Sequence, residues 1–157
     1  ENTLKEWRVV KHWIKEIENW EHSDILSKIY SFMLEQYPKE IYPQLVKWNK
    51  SAVSWEQRNS IVPLIYYASK HRKPPPVNKI LPLIKPLLLS KEPYVQKGVG
   101  WTLRETHNLY PKETMKFIEK HLGDLSAISY SYATEKVPLA KRNKLKAKRK
   151  KLRKTSK

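Results

Sequence analysis

The sequence predicts an all-α fold in which about four antiparallel helix pairs stack into a solenoid. Three observations lead there. Apolar residues recur at spacings of three and four along most of the chain, the signature of helices with one buried stripe. Strand and hairpin signals are nearly absent, with 3 glycines in 157 residues and no Asn-Gly or Asp-Gly pair. The second helices of the pairs are expected to begin near Asp24, Trp55, Pro93 and Ser126, at intervals of 31, 38 and 33 residues. A compact helical bundle meets the first two observations equally well; the near-regular interval is what favours the stack.

The elements follow in order. Leu4, Trp7, Val10, Trp13, Ile14 and Ile17 form one helical stripe over 4–18. Ser23 or Asp24 is the expected N-cap of a second helix through Ile25, Leu26, Ile29, Tyr30, Met33 and Tyr37, stopped by Pro38. A short third helix is expected from about Glu40 to Trp48, bent or delayed by Pro43. Ser54 and Gln57 have the spacing of a capping box for the fourth, which Pro63 should kink. Pro74-Pro75-Pro76 is the clearest break. Helix five is expected over 77–89, made irregular by Pro82 and Pro86. Helix six opens on Pro93, a first-turn proline, and helix seven runs from Pro111 to a C-terminal glycine at Gly123. Helix eight spans about Ser126 to Lys136, and Pro138 closes it. Residues 139–157 read as a basic tail, either disordered or a surface helix, with no burying face. The repeat interval is close to that of HEAT-like repeats and somewhat short of it; such a stack is a curved slab with one concave face.

Net charge is +17, and residues 141–157 hold 11 of the 32 Lys and Arg with no acid, leaving 21 cations against 15 acids, +6, in the body. A basic body with a basic tail suits a polyanionic partner, nucleic acid or anionic lipid. Without cysteine there are no disulfides, thiolate metal sites or Cys nucleophiles. No apolar run approaches the roughly 18 residues of a membrane span. The five histidines lack metal-ligand spacing, and phosphate loops and Ser-His-Asp orders are missing. The expectation is a cytoplasmic, nucleoid-associated monomer with no metal, no cofactor and no membrane partner.

Three stretches could carry chemistry. Trp20 and Asp24 are four apart, so a helix would put both on one face. Asp24 is also an ordinary helix cap in that position. Trp55 and Arg58 are three apart, either a ring and cation offered together or a surface Arg lying on its own ring. The third stretch runs Lys97-Gly98-Val99-Gly100-Trp101-Thr102-Leu103-Arg104-Glu105. Its two mid-helix glycines cost roughly 1 kcal/mol each against Ala, so close approach of a helix or of a ligand backbone should compensate. Lys97, Trp101 and Arg104 follow at helical spacing, although Arg104 and Glu105 could be a plain exposed pair.

Trp20-x-x-x-Asp24, Trp55-x-x-Arg58 and the Lys97–Glu105 stretch together resemble the DNA alkylation repair family of AlkD-type glycosylases, over about Trp13 to Lys136. The resemblance implies HEAT-like repeats around a basic concave cleft, and excision of positively charged N3- or N7-alkylated purines from double-stranded DNA. It implies that Asp24 is the catalytic carboxylate and that Trp20 and Trp101, with Trp55, flank the lesion and its sugar. Arg58, Lys97 and Arg104 would contact DNA phosphates. It also implies helices ahead of Trp20 for which the chain leaves little room, so residues 1–138 are expected to be a repeat domain lacking N-terminal repeats. A non-catalytic DNA-binding repeat protein and a scaffold for an acidic protein or membrane are the alternatives.

Overall fold

The structure is a computed structural model describing residues 2–67 and 73–155; His71 and the last two residues of the tail lie outside them. The helices are α1 (Asn2–Val10), α2 (Trp20–Gln36), α3 (Pro38–Asn49), α4 (Ser54–Ile61), α5 (Val77–Ile84), α6 (Pro93–Leu109), α7 (Pro111–Lys120), α8 (Ala127–Ala133) and α9 (Leu139–Thr155). No strand occurs among the described residues. Among the described residues, three helices pass directly into 3-10 turns: Lys11–Glu16 after α1, Val62–Ile65 after α4 and Lys85–Leu89 after α5. Pro63 and Pro86 sit in the first turn of the second and third of these, where each ends regular α-helix because its nitrogen has no hydrogen to donate. Pro38, Pro93 and Pro111 instead open helices, in the first turn where that hydrogen is not needed.

The helix ends depart from sequence expectation. Asn19, and neither Ser23 nor Asp24, caps α2: its side-chain oxygen accepts the His22 amide at 3.0 Å. Helix α2 therefore begins a turn earlier than expected. Ser54 and Gln57 form no capping box; Gln57 Nε2 donates instead to the Ser51 carbonyl at 2.8 Å, and Val53 takes the cap position. Gly123 does not end α7 in a left-handed conformation, since no described residue has positive φ. The helix stops at Lys120 and the chain leaves through a right-handed turn in which Asp124 donates to the His121 carbonyl. The expected first helix is split, and Trp13 faces outward at 48 % exposure.

Packing places α2, α4, α6 and α8 side by side in sequence, with α3, α5 and α7 behind them, the two-layer arrangement of a HEAT-like stack. The core between the layers is aliphatic: Leu34, Ile41, Leu45, Ile61, Leu64, Ile80, Ile84, Leu103 and Ile118 are essentially inaccessible. At the N-terminal end it becomes aromatic. Trp7, Tyr30 and Trp48 pack ring on ring at 5.3 to 6.0 Å, and the Tyr30 hydroxyl donates to the Val10 carbonyl. Between α2 and α4 the buried contact is polar. Asn59 Nδ2 donates to Ser23 Oγ at 2.9 Å, and Ser27 Oγ donates to Asn59 Oδ1 at 2.9 Å. Buried polar groups that are all partnered permit one rotation of α2 against α4 and penalise others.

The tail has a burying face after all. Arg142, Leu145, Arg149 and Leu152 lie three, seven and ten residues along α9 and form one stripe. Leu145 is 5 % exposed. Tyr130 donates its hydroxyl to the Arg142 carbonyl at 2.9 Å, and Arg149 donates Nη2 to the Leu125 carbonyl at 2.6 Å with its guanidinium over the Tyr130 ring. The stripe escapes a hydrophobicity count because half of it is arginine and main chain.

Candidate nucleic-acid cleft

Capping by Asn19 has a direct consequence: the Asp24 carboxylate, a turn further on, is not consumed at the helix end. It points instead toward α4, where Arg58 Nη2 donates to Oδ1 at 2.7 Å. The side chain remains 30 % exposed. Trp20, four residues back on the same face of α2, is 49 % exposed. Both line a cleft of about 350 Å³ on the side of the molecule formed by the second helices. Arg58, Lys97, Trp101 and Arg104 line it too, so three separate stretches of sequence converge on a single opening.

Arg58 is the hinge of this arrangement, and it is buried at 6 %. Its Nε donates to Ser23 Oγ at 3.1 Å, its Nη1 to the Tyr94 carbonyl at 2.8 Å, and its Nη2 to Asp24. One planar guanidinium thus ties α4 to α2 and to α6 at once, which a lysine could not do. A cation so enclosed differs from the exposed phosphate contact expected from sequence. Gly98 makes the crossing possible: a Cβ there would lie 3.2 Å from Arg58 Nη1 and 3.3 Å from its Cγ. Gly100 serves a different contact. A Cβ there would meet the Ser129 carbonyl oxygen at 2.7 Å and Tyr132 Cβ at 2.6 Å, so the glycine lets α8 lie directly on α6. Both glycines answer to neighbouring protein.

The cleft walls are more aromatic than expected. Trp101 is wedged edge-to-face between Tyr66 and Tyr67, with 5.4 Å between centroids in each pair. Tyr67, Tyr94 and Tyr132 line the opening, and none of them was expected from sequence. Tyr94 was findable, because it lies three before Lys97 and seven before Trp101 on one face of α6. Tyr67 follows a 3-10 turn and Tyr132 sits on a short helix, where no periodicity points to them. Trp55 is not brought to the opening. It stacks on Tyr94 at 5.2 Å and holds that ring in place.

The cations divide by partner. Arg104 pairs with Glu105 at 3.2 Å and with Glu135, just past the C-terminal end of α8, at 2.6 Å. Lys97 Nζ sits 4.9 Å from the Tyr94 ring centroid. Burial pushes the Tyr66 phenol above its ordinary range, and the Asp24 carboxylate pushes it the same way, so Tyr66 stays protonated beside the acid. Among the described residues no group of three His, Cys, Asp or Glu is placed to hold a metal, and no helix is long and apolar enough to cross a membrane.

Chemically, the cleft offers a part-exposed carboxylate held by an arginine, π-faces on several sides, and a lysine at the rim. Such a site favours a species with positive charge inside the cleft and negative charge along its edge. The model of a family described as DNA alkylation repair enzyme matches residues 1–137. No curated protein and no solved structure matches the chain.

Proposed function

Because the chain belongs to the DNA alkylation repair enzyme family, we propose that it is a monofunctional glycosylase hydrolysing the N-glycosidic bond of cationic alkylpurines in duplex DNA. N7-alkylguanine and N3-alkyladenine are the substrates, and the protein acts as a monomer on DNA in the cytoplasm. The observation that carries this reading is Asp24, a carboxylate spared from capping that lines one cleft together with Trp20 and Trp101, where the other charged side chains are Arg58, Lys97 and Arg104.

Alkylation at N7 or N3 already places positive charge on the base, so the leaving group needs no strong acid. What the reaction demands is stabilisation of the charge that develops on the deoxyribose as the bond breaks, together with a water held for attack. A unit carboxylate 4 Å from that charge contributes about 4 kcal/mol at an effective dielectric near 20. The Arg58 ion pair offsets part of this, so roughly 3 kcal/mol, about a hundredfold in rate, is the scale to expect. Arg58 in return fixes the carboxylate's position, so no reorganisation is needed when charge develops. We assign Arg58 to positioning and Lys97 to phosphate. The faces of Trp20 and Trp101 add cation–π attraction for the sugar and the alkylated base.

The test is release of free 7-methylguanine from methylated duplex DNA by the purified chain, with the expected result a rate above the uncatalysed depurination of the same DNA. The Asp24–Arg58 ion pair also supports a second reading, a non-catalytic DNA-binding repeat protein whose acid serves only structure. That reading expects salt-sensitive duplex binding with release at the uncatalysed rate.

A further inference from the structure

Helix α9 lies beyond the residues matched by the family, 1–137, and the cleft does not use it. It is a 17-residue helix, roughly 25 Å long, whose sequence alone would not hold it helical in water. Lysines and arginines recur at i and i+4 with no acid between them, and like charges at that spacing repel. Its order comes from docking through Leu145, Arg149 and the Arg142 carbonyl, with Leu152 against Gly123. Docking buries Leu145 and leaves Leu139 and Leu152 exposed. Lys144, Lys146, Lys148, Lys150 and Arg153 are exposed on the remaining surface.

The place of this surface is as informative as its charge. On α8, Tyr132 lines the cleft, while Tyr130, two residues and about 200° away around the helix, holds α9. Helix α9 therefore lies on a face of α8 turned away from the cleft, at the C-terminal end of the stack, where it also meets the α7–α8 turn at Leu125 and Gly123 and pairs Lys141 with Glu119 of α7 at 3.8 Å. At the usual spacing of about 8–10 Å per packed helix, the row from α2 to α8 spans roughly 24–30 Å. One turn of duplex spans about 34 Å, so a one-turn duplex is taken up by the row, and a longer one running along it extends past α8 to α9.

We propose that α9 is a docked cationic arm that binds the phosphate backbone of the duplex flanking the lesion, extending the footprint past the repeat body. The proposal rests on the reading of duplex DNA as the substrate of the cleft. Phosphates neutralise the repulsion along the helix, so binding and helix order reinforce one another. An anionic membrane is the less suitable partner, because insertion requires a continuous apolar face turned outward, and the exposed Leu139 and Leu152 of α9 stand thirteen residues apart among lysines and arginines.

The experiment compares the full chain with a variant carrying Lys144→Gln, Lys146→Gln, Lys148→Gln and Lys150→Gln, all exposed, which leaves the docking stripe intact. Binding to unmodified duplexes of about one and about three helical turns is measured over a range of salt. The expected result is a salt slope on the long duplex lower by about 2 to 4, at roughly 0.9 for each phosphate that the variant no longer neutralises, with short-duplex binding changed by less than about threefold. Equal slopes for the two proteins on the long duplex overturn the proposal, as does tighter binding of the unaltered chain to phosphatidylserine vesicles than to the long duplex. A second variant, Leu145→Asp, undocks the helix while keeping every lysine. A positioned arm loses long-duplex affinity in this variant, and unchanged affinity overturns the positioned arm in favour of simple charge attraction. Base release is assayed on the same preparations. Its absence from the unaltered chain defeats the glycosylase reading alone and leaves the slope comparison interpretable.

Discussion

Two aromatic clusters in this chain use the same side chains in opposite ways. Trp7, Tyr30 and Trp48 are 6 %, 0 % and 4 % exposed and pack only on one another and the aliphatic core. Trp20, Tyr67 and Tyr94 are 38 to 49 % exposed, and Trp101 between them is half-buried. The first cluster lies between layers, where every face is covered by a neighbouring helix. The second lies on the row of second helices, with a carboxylate, an arginine and a lysine instead of leucines around it. Leaving large rings on solvent forfeits apolar burial, so the difference teaches that the exposed set is kept for something other than stability.

The comparison breaks most visibly at its two tryptophans. Trp48→Ala should cost about 3–5 kcal/mol of unfolding free energy, read by urea titration, because a filled core site is emptied. Trp101→Ala should cost less than half of that, and should instead slow base release from methylated duplex by more than tenfold. Equal stability losses would erase the distinction between the clusters.

The glycines of α6 sharpen it. Gly100→Ala should destabilise by about 1–3 kcal/mol, since the new methyl meets the Ser129 carbonyl and no flexible side chain can yield. Gly98→Ala presses only on Arg58 and Val62 at 3.2 to 3.4 Å, so a thermal melt should move little. Its effect belongs in activity, through the displaced guanidinium. Arg58→Lys should behave similarly and not restore function, as one ammonium cannot reach Ser23, Asp24 and the Tyr94 carbonyl together.

The smallest effect is one of pH. Burial, with Lys141 adding to it, holds the His107 pKa below its ordinary value of 6.5. The folded chain therefore takes up its proton at lower pH than the unfolded chain. Stability from this residue is complete above about pH 6.5 and is lost as pH falls through the folded value. His107→Gln should flatten that part of a stability–pH curve measured by denaturant titration.

What could be read from sequence follows from how local each feature is. The helices and the joint position of Trp20 with Asp24 depend on residues within a turn or two of one another, and periodicity reports them. The role of Arg58 does not, because Ser23 and the Tyr94 carbonyl reach it from 35 and 36 residues away. Nothing near Trp55 distinguishes a buried clamp from a surface cation. The cap of α2 is ambiguous for a local reason: Asn19, Ser23 and Asp24 are all good caps, and it is the engagement of Ser23 and Asp24 by Arg58 and Asn59, far away in sequence, that leaves the cap to the first. Helix α9 escapes notice because its docking stripe alternates leucine with arginine.

All of this converges on one carboxylate, and single-turnover release of 7-methylguanine by the unaltered chain and by Asp24→Asn tests it most directly. With both proteins saturating the same methylated duplex, the account expects release to fall by about a hundredfold in the variant, with duplex affinity unchanged, since only stabilisation of the cationic sugar is lost. Equal rates from the two proteins would contradict it.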